Sequence, residues 1–124
     1  MSQPLFLSYA ACGTCKKALK WLAAHGIEVQ VRPIVDQPPT VQELEAWIPA
    51  SGLPVRKWLN TSGMSYRALG KEKVAAADDA TLIRWLAEDG KLVKRPVLVD
   101  GDRVLVGFRE EAWAELFSGR GSGG

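Results

Sequence analysis

The sequence is poor in the residues that most often bind metal ions. Its 124 residues include two cysteines and a single histidine, whereas a structural zinc site takes about four ligands, mostly of these two kinds. His25 also lies about three turns of helix from Cys12, at the far end of the first predicted helix. The sequence therefore predicts no metal site within one copy of the chain.

The chain also lacks a long apolar run and a strong net charge. No stretch approaches the roughly 18 apolar residues that span a bilayer, and residues 1–9 have no basic region or long apolar run typical of a secretory signal. The 16 Lys and Arg nearly balance the 14 Asp and Glu, so no strong positive field favours nucleic acid. We expect a cytoplasmic protein that binds neither membranes nor nucleic acid directly, in a compartment that keeps thiols reduced.

The first part of the chain has the pattern of a strand, a helix and a second strand. Residues 5–9 are mostly apolar, and residues 14–25 have helical spacing before Gly26, a typical helix cap. Residues 27–31 alternate between apolar and polar side chains, as in a strand. Such a unit predicts two parallel strands joined by a right-handed crossover. The apolar face of the helix carries Cys15, Ala18, Leu19, Leu22 and Ala23.

Residues 40–90 are predicted to form a block of helices. A capping box opens the first of them, with Thr40 as the N-cap and Glu43 three residues later. All five tryptophans of the chain fall in predicted helices, and we interpret them as packing residues. The predicted helical segments of the block are residues 40 to about 50, 54–59, 65–70 and 78–90, and the tryptophans are Trp21, Trp47, Trp58, Trp85 and Trp113.

The rest of the chain returns to strands and ends in a helix. Residues 92–99 and 103–106 are mostly apolar and rich in valine, and the Asp-Gly pair between them is typical of a two-residue hairpin turn. A last amphipathic helix is predicted over residues 109–117. Residues 118–124, rich in Ser and Gly, are predicted to be a disordered tail.

The order of these elements predicts the fold class. It runs β-α-β, a helical insertion at about residues 40–90, and then β-β-α. We predict an α/β protein with a thioredoxin-like, mixed four-stranded sheet, formed by one domain over residues 1–117. A chain of this length is sufficient to bury one hydrophobic core.

Two cysteines lie at the junction of the first strand and the first helix. Cys12 falls just before the helix, where free backbone N–H groups and the positive end of the helix dipole stabilise a thiolate. Cys15 falls one turn later on the apolar face, so we expect its sulfur to be shielded. This asymmetry predicts that Cys12 attacks a substrate and that Cys15 resolves the adduct to a disulfide. Gly13, with Thr14 beside it, leaves the loop open to a partner sulfur or an oxyanion.

Two other interpretations of the cysteine pair stay open. Free cysteines are often buried, so two core cysteines can fall at this spacing by chance. A zinc ion shared between two chains is a further arrangement. We favour redox use because this Cys-x-x-Cys pair opens a helix that follows a strand.

Arg95 and Pro96 precede the third predicted strand. In a thioredoxin-like fold the loop that enters this strand faces the start of the first helix. A cis peptide bond before Pro96 would turn Arg95 toward Cys12, where its charge would bind an anion or stabilise the thiolate. The alternative is a solvated surface arginine beside a proline that only shapes the strand edge.

Four short segments occur in a characteristic order along the chain. They are residues 9–18, with Cys12 and Cys15, then Asn-Thr-Ser-Gly at 60–63, Lys-Arg-Pro-Val at 94–97 and Val-Gly-Phe at 106–108. Together they resemble the arsenate reductase/Spx-type family, over about residues 5–117. The resemblance implies a thioredoxin-like fold with a helical insertion, in agreement with the pattern above.

The resemblance also implies a chemistry. In the arsenate reductases of this family one cysteine attacks the oxyanion and arginines surround it, and the matching residues here are Cys12 and Arg95. No bound cofactor is implied. Glutathione, glutaredoxin or thioredoxin is the expected reductant, so the expected partner is a small thiol or a redox protein.

Two further arginines of the reductases have no clear counterpart in this chain. One position is taken by Asn60 and the other by Gly107 or Phe108, with Arg56 and Arg109 only near them in sequence. Each Arg–oxyanion contact contributes about 1.5–3 kcal/mol. We therefore expect arsenate to bind weakly.

The second cysteine supports an alternative function. Cys15 resembles the second cysteine of the redox switch in Spx-type transcription regulators, which bind RNA polymerase. The sequence thus predicts a thiol-dependent oxidoreductase, with an RNA polymerase-binding redox sensor as the alternative. Charges dispersed along the chain, with no compact basic patch, favour the enzyme.

Overall fold

Four short strands form one mixed sheet in the order β2-β1-β3-β4. The computed structural model describes residues 3–121. Strand β1 pairs in parallel with β2 and antiparallel with β3, and β3 and β4 form an antiparallel hairpin. This confirms the predicted thioredoxin-like fold. The strands are β1 Leu5–Ser8, β2 Gln30–Pro33, β3 Val97–Asp100 and β4 Arg103–Val106.

The helices begin at capping residues that the sequence indicates. The Thr40 hydroxyl accepts the Glu43 N–H at 3.1 Å, and the Glu43 carboxylate accepts the Thr40 N–H at 2.9 Å, so the capping box is formed. Asp78 accepts the N–H of Thr81 at 2.9 Å and caps the fifth helix. The α-helices are α1 Gly13–Ala24, α2 Val41–Ser51, α3 Met64–Leu69, α4 Lys71–Ala76, α5 Asp79–Glu88 and α6 Glu110–Gly121, and two 3-10 helices span Val55–Trp58 and Gly90–Leu92.

The core consists of two clusters on opposite faces of the sheet. Successive strand residues point to opposite faces, and Phe6 and Leu7 of β1 accordingly belong to different clusters. Phe6 packs with α1 and α6, including Cys15 and Trp113. Leu7 packs with the helices of the insertion. All five tryptophans are buried or half-buried in one cluster or the other, which confirms their interpretation as packing residues.

Strand β2 begins three residues later than predicted. Ile27 and Val29 are packed against the α1–α6 cluster in the connection that precedes the strand. Pairing with β1 starts only at Gln30, whose N–H donates to the Pro4 carbonyl at 2.8 Å. The alternation in the sequence therefore reflects packing on a helix as well as the strand itself.

The third strand is shorter than predicted, with its first half in other conformations. Residues 90–92 form a 3-10 helix, and Val93 makes an isolated bridge to Leu59. The peptide bond before Pro96 is cis, and proline has no N–H to donate to a ladder. Strand β3 therefore begins only at Val97.

Two helical segments also differ from the prediction. Helix α4 was not predicted, because Val74 is its single buried residue and no periodic pattern marks it. Helix α6 continues through Gly121 and so enters the segment predicted to be disordered. Extending a formed helix adds a backbone hydrogen bond per residue and needs no burial, so the prediction of disorder is not met over residues 118–121. Residues 122–124 lie outside the described residues.

Within residues 3–121, no helix combines the length and the apolar character required to cross a membrane.

Candidate active site at the start of the first helix

Cys12 is the N-cap of α1. Its sulfur accepts the backbone N–H of Cys15 at 3.3 Å, and its own N–H donates to the Tyr9 carbonyl at 2.9 Å. The helix therefore holds the sulfur at its positive end, where a thiolate is stabilised. A Cβ atom at Gly13 would meet no atom within 4 Å, so the space beside the sulfur is open.

The two cysteines are free thiols in unequal environments. Cys12 is half-buried, whereas Cys15 is 1% exposed among the side chains of α1 and α6. Burial raises the pKa of Cys15 to about 11. Burial also raises the pKa of Cys12, but hydrogen bonds from Cys15 and the Arg95 guanidinium outweigh it and hold that pKa below its ordinary value. Cys12 is thus the better nucleophile near neutral pH.

Arg95 lies beside Cys12 because of the loop that enters β3. The Arg95–Pro96 bond is cis, as the sequence hypothesis required. The guanidinium carbon lies 4.8 Å from the centre of the Tyr9 ring, and Nη1 donates to the Lys91 carbonyl at 3.5 Å. Its Nε is buried and has no hydrogen-bond partner among the described residues. Such a donor is costly to leave unpaired, which is consistent with an anionic ligand at this position.

A cleft of about 450 Å³ opens at Cys12. We call it the thiol cleft. Four separate parts of the chain line it: residues 12 and 14 at the start of α1, residues 60, 62 and 63 of the insertion, residues 94–95 before β3, and residues 106–109 from the end of β4 onward. The lining includes three cationic side chains and no carboxylate. The cleft therefore suits a ligand that carries negative charge.

The comparisons with known proteins agree with this geometry. The ArsC family model matches residues 7–116. The chain belongs to the ArsC family. It is 47% identical over 111 residues to the Bacillus subtilis protein YusI, across 89% of this chain and 94% of that protein.

Two other relatives broaden the comparison. The Bacillus subtilis regulatory protein MgsR is 30% identical over 109 residues, across 87% of this chain and 86% of MgsR. The crystal structure of a Bacteroides fragilis protein described as ArsC family related superposes with a TM-score of 0.88 at 52% identity, covering 92% of this chain and 97% of that one. The relatives of this chain thus include a protein named as a regulator.

Two arginines of the arsenate reductases have no counterpart in this sequence, and the structure shows where the residues near those positions lie. Arg56 is not at the site, because its guanidinium donates to the carbonyls of residues 74, 75 and 77 at the end of α4, at 2.7–3.3 Å. Asn60 lines the cleft, accepts the Ser62 hydroxyl at 3.1 Å and donates to the Lys91 carbonyl at 3.4 Å. Arg109 also lines the cleft, just before α6. One of the two arginines near the missing positions therefore supplies charge to the site.

Lys94 is the residue of the cleft that sequence reasoning missed as a site residue. It lies in the Lys-Arg-Pro-Val segment beside Arg95, and only Arg95 matches an arginine of the arsenate reductases. A lysine near the start of a predicted strand has the same pattern as a solvated one. Its position beside residues 106–109 depends on the pairing of β3 with β4, which is a long-range contact.

His25 is remote from the cleft. Its ring stacks on Trp21 at 4.0 Å between centroids, and Nδ1 lies 2.8 Å from the Trp21 carbonyl oxygen. Within residues 3–121, no three His, Cys, Asp or Glu side chains converge in a way that would hold a metal ion.

Proposed function

We propose that this ArsC-family protein is a thiol-dependent oxidoreductase in which Cys12 is the nucleophile and Cys15 the resolving thiol. One observation carries the proposal: Cys12, with a lowered pKa, opens onto a cleft whose charged side chains are all cationic. A thiolate is the reactive form of cysteine. The cations attract an anionic substrate and stabilise the negative charge on its leaving group.

With a disulfide as substrate, the reaction has two steps. The Cys12 thiolate attacks one sulfur, a new S–S bond forms, and the other half of the substrate leaves as a thiolate that takes up a proton. Cys15 then loses its proton and attacks the Cys12 sulfur, releasing the second half as a thiol and leaving a Cys12–Cys15 disulfide. Glutathione, glutaredoxin or thioredoxin supplies the two electrons that return both cysteines to thiols.

An oxyanion such as arsenate follows the same order. The Cys12 sulfur bonds to arsenic and a water molecule leaves. A second thiol then attacks the Cys12 sulfur, so that arsenic leaves as arsenite with the electron pair and the two sulfurs form a disulfide. The second thiol is Cys15 in a dithiol cycle, or glutathione in a monothiol cycle.

The environment of Cys15 suits a thiol that acts second. Burial is the main cause of its high pKa, and the negative charge of Cys12 adds to it. Once Cys12 is bound covalently to a substrate, that charge is gone and the Cys15 proton is easier to remove. Cys15 is thus inactive until Cys12 has reacted.

The test compares the Cys12→Ser and Cys15→Ser variants side by side. Turnover of arsenate and of a low-molecular-weight disulfide is measured with glutathione, with glutaredoxin and with thioredoxin as reductant. Loss of activity in both variants indicates a dithiol cycle, and loss only in Cys12→Ser indicates a monothiol cycle. Turnover no faster than with free glutathione, together with a Cys12 pKa at its ordinary value, would contradict the proposal.

The likeness to MgsR favours one alternative, a redox-sensing regulator. In that function the Cys12–Cys15 pair is a switch that changes a surface for RNA polymerase. The test is a pull-down of purified RNA polymerase with the oxidised and the reduced protein. Equal binding, or none, in both states rejects this alternative.

A further inference from the structure

A second cation lies beside Arg95 in the thiol cleft. The backbone of Lys94 is held by its N–H, which donates to the Trp58 carbonyl at 2.8 Å. Its side chain is exposed and lines the cleft. The position of Lys94 in the cleft is therefore fixed by the backbone, while its ammonium group is open to a ligand.

The side chain of Lys94 lies against Gly107, the residue of the cleft lining that follows β4. A Cβ atom at Gly107 would come within 3.2 Å of Lys94 Cε and 3.9 Å of Nζ. Gly107 has a φ of 76°, and its N–H donates to the Pro96 carbonyl at 2.8 Å. The absence of a side chain at residue 107 thus leaves the space that the lysine stem occupies.

The charge of Lys94 is not neutralised by the protein. No ion pair of Lys94 occurs among the described side chains, which span residues 3–118, and no carboxylate is among the residues that line the cleft. Arg95 differs from Lys94 because its guanidinium also faces Tyr9, reaches the Lys91 carbonyl and lowers the pKa of Cys12. The main groups that lower that pKa are Cys15 and Arg95. Arg95 therefore has partners within the protein, whereas the ammonium group of Lys94 is open to a ligand.

We propose that Lys94 binds the negative charge of the ligand that Cys12 attacks, and that it makes the site select anionic over neutral substrates. The ligand is an electrophile that carries a carboxylate or an oxyanion within reach of the Cys12 sulfur. This role rests on the proposed function, in which Cys12 is the nucleophile. Arg95 stabilises the thiolate and Lys94 positions the substrate.

The test uses two alkylating agents of nearly equal size, iodoacetate and iodoacetamide. With either reagent the Cys12 sulfur forms a bond to carbon and iodide leaves, so no reductant is needed. Because both reagents also modify an ordinary thiol at alkaline pH, the measurement works whether or not the protein turns over a substrate. Turnover and the Cys12 pKa test the proposed function separately.

The rates are measured by mass spectrometry for the wild type and four variants. Lys94→Ala removes the charge, Lys94→Glu reverses it and Lys94→Arg keeps it. Lys91→Ala removes an exposed lysine that does not line the cleft, and so controls for the change in net charge. The Cys12 pKa of each variant is taken from the pH dependence of the iodoacetamide rate.

The ratio of the iodoacetate rate to the iodoacetamide rate shows whether the site favours the anionic reagent. We expect it to fall about fivefold in Lys94→Ala, to fall further in Lys94→Glu, and to stay near the wild-type value in Lys94→Arg and Lys91→Ala. The Cys12 pKa should be unchanged in Lys94→Ala. Both reagents react with the same thiolate, so a changed Cys12 pKa alters the two rates together and leaves their ratio in place. An equal ratio in Lys94→Ala and Lys91→Ala overturns the proposal.

Two unreactive anions identify the source of the charge. Inorganic phosphate represents an oxyanion, and S-methylglutathione represents the carboxylates of a small thiol. Slowing of iodoacetamide alkylation by one of them in the wild type, with less slowing in Lys94→Ala, supports the proposal and names the ligand chemistry. Slowing by neither, or equal slowing in both proteins, overturns it.

Discussion

At the scale of single residues, the sulfur of Cys12 combines two roles. It accepts the Cys15 N–H as the cap of α1, and it faces the thiol cleft. Both roles favour negative charge on sulfur, because a thiolate is a stronger hydrogen-bond acceptor than a thiol and suits the positive end of a helix. The reactivity of Cys12 is therefore built into the way the helix begins.

Removing the Arg95 charge should make Cys12 less acidic. In Arg95→Ala we expect the Cys12 pKa to rise, because burial still disfavours the thiolate while one of the groups that favours it is lost. Alkylation by iodoacetamide at neutral pH should slow accordingly, and its pH dependence gives the pKa.

The matched control for that change is Arg103→Ala. Arg103 is an exposed arginine on β4 that does not line the cleft. Its loss changes the net charge by the same amount and should leave the Cys12 pKa in place. Equal Cys12 pKa values in Arg95→Ala and the wild type would show that the guanidinium does not act on the thiolate.

At the scale of elements, one ion pair ties β2 to α2. The Arg32 guanidinium makes two contacts of 2.8 Å with the Glu43 carboxylate, and it also donates to the carbonyls of Gln37 and Pro38. Glu43 completes the capping box with Thr40. A single arginine therefore fixes the edge strand, the connection that follows it and the start of the next helix.

This ion pair should make stability depend on pH below about 4.5. The Arg32 guanidinium is the main cause that lowers the pKa of Glu43 below its ordinary value of 4.5. The unfolded chain therefore takes up the proton first, so the contribution of Glu43 is fully present above pH 4.5 and is lost as pH falls through its lower folded value. Glu43→Gln should cost about 1 kcal/mol at neutral pH.

Urea unfolding over a series of pH values checks this dependence. The difference between wild type and Glu43→Gln should shrink as the pH falls below 4.5. Glu45→Gln, on the exposed side of the same helix, is the matched control and should stay close to the wild type throughout. A Glu43→Gln difference that is constant with pH would contradict the role given to the carboxylate.

Elements with strong local signals were predictable, and those defined by distant partners were not. Helix α1, the capping box of α2 and the β3–β4 turn each depend on residues close in sequence. Strand β3 was predicted too long because Leu92 and Val93 continue its apolar pattern, yet residues 93–94 are placed by Trp58 and Leu59 of the insertion. Periodicity indicates which side chains are buried, but it does not indicate which element they pack against.

At the scale of the whole molecule, Trp113 connects α6 to the site. It is 1% exposed and packs edge-on against Phe6, Trp21 and Phe108. Its Nε1 donates to the Gly107 carbonyl at 3.2 Å. The wall of the cleft at residues 107–108 is therefore anchored in the core between the sheet and α1.

Truncation of Trp113 should destabilise the whole protein. We expect Trp113→Ala to lower the free energy of unfolding by about 3–5 kcal/mol, out of about 5–15 kcal/mol for a typical domain. Trp113→Phe keeps most of the packing and loses the hydrogen bond to Gly107, which contributes about 1 kcal/mol. Urea unfolding measures both, and a cost for Trp113→Ala below that for Trp113→Phe would show that the core does not depend on this ring.

The central residues of the candidate site were predictable, and the extent of the cleft around them was not. The cysteine pair and Arg95 have local signatures, and the structure brings them together. Lys94 and Arg109 belong to the same cleft only because β3 and β4 are paired and the loop after β4 returns to α1. No spacing in the sequence marks those two as neighbours of Cys12.

Of the long helical insertion, Asn60, Ser62 and Gly63 line the thiol cleft, while its helices pack on the opposite face of the sheet from α1. This gives the molecule a separable architecture. One side holds the Cys12 sulfur at the start of α1, and the other presents a short loop across from it. Protein engineering can exploit this division. The length or the charge of the loop at residues 60–63 can be changed to admit a new ligand, while Cys12 and its helix stay as they are.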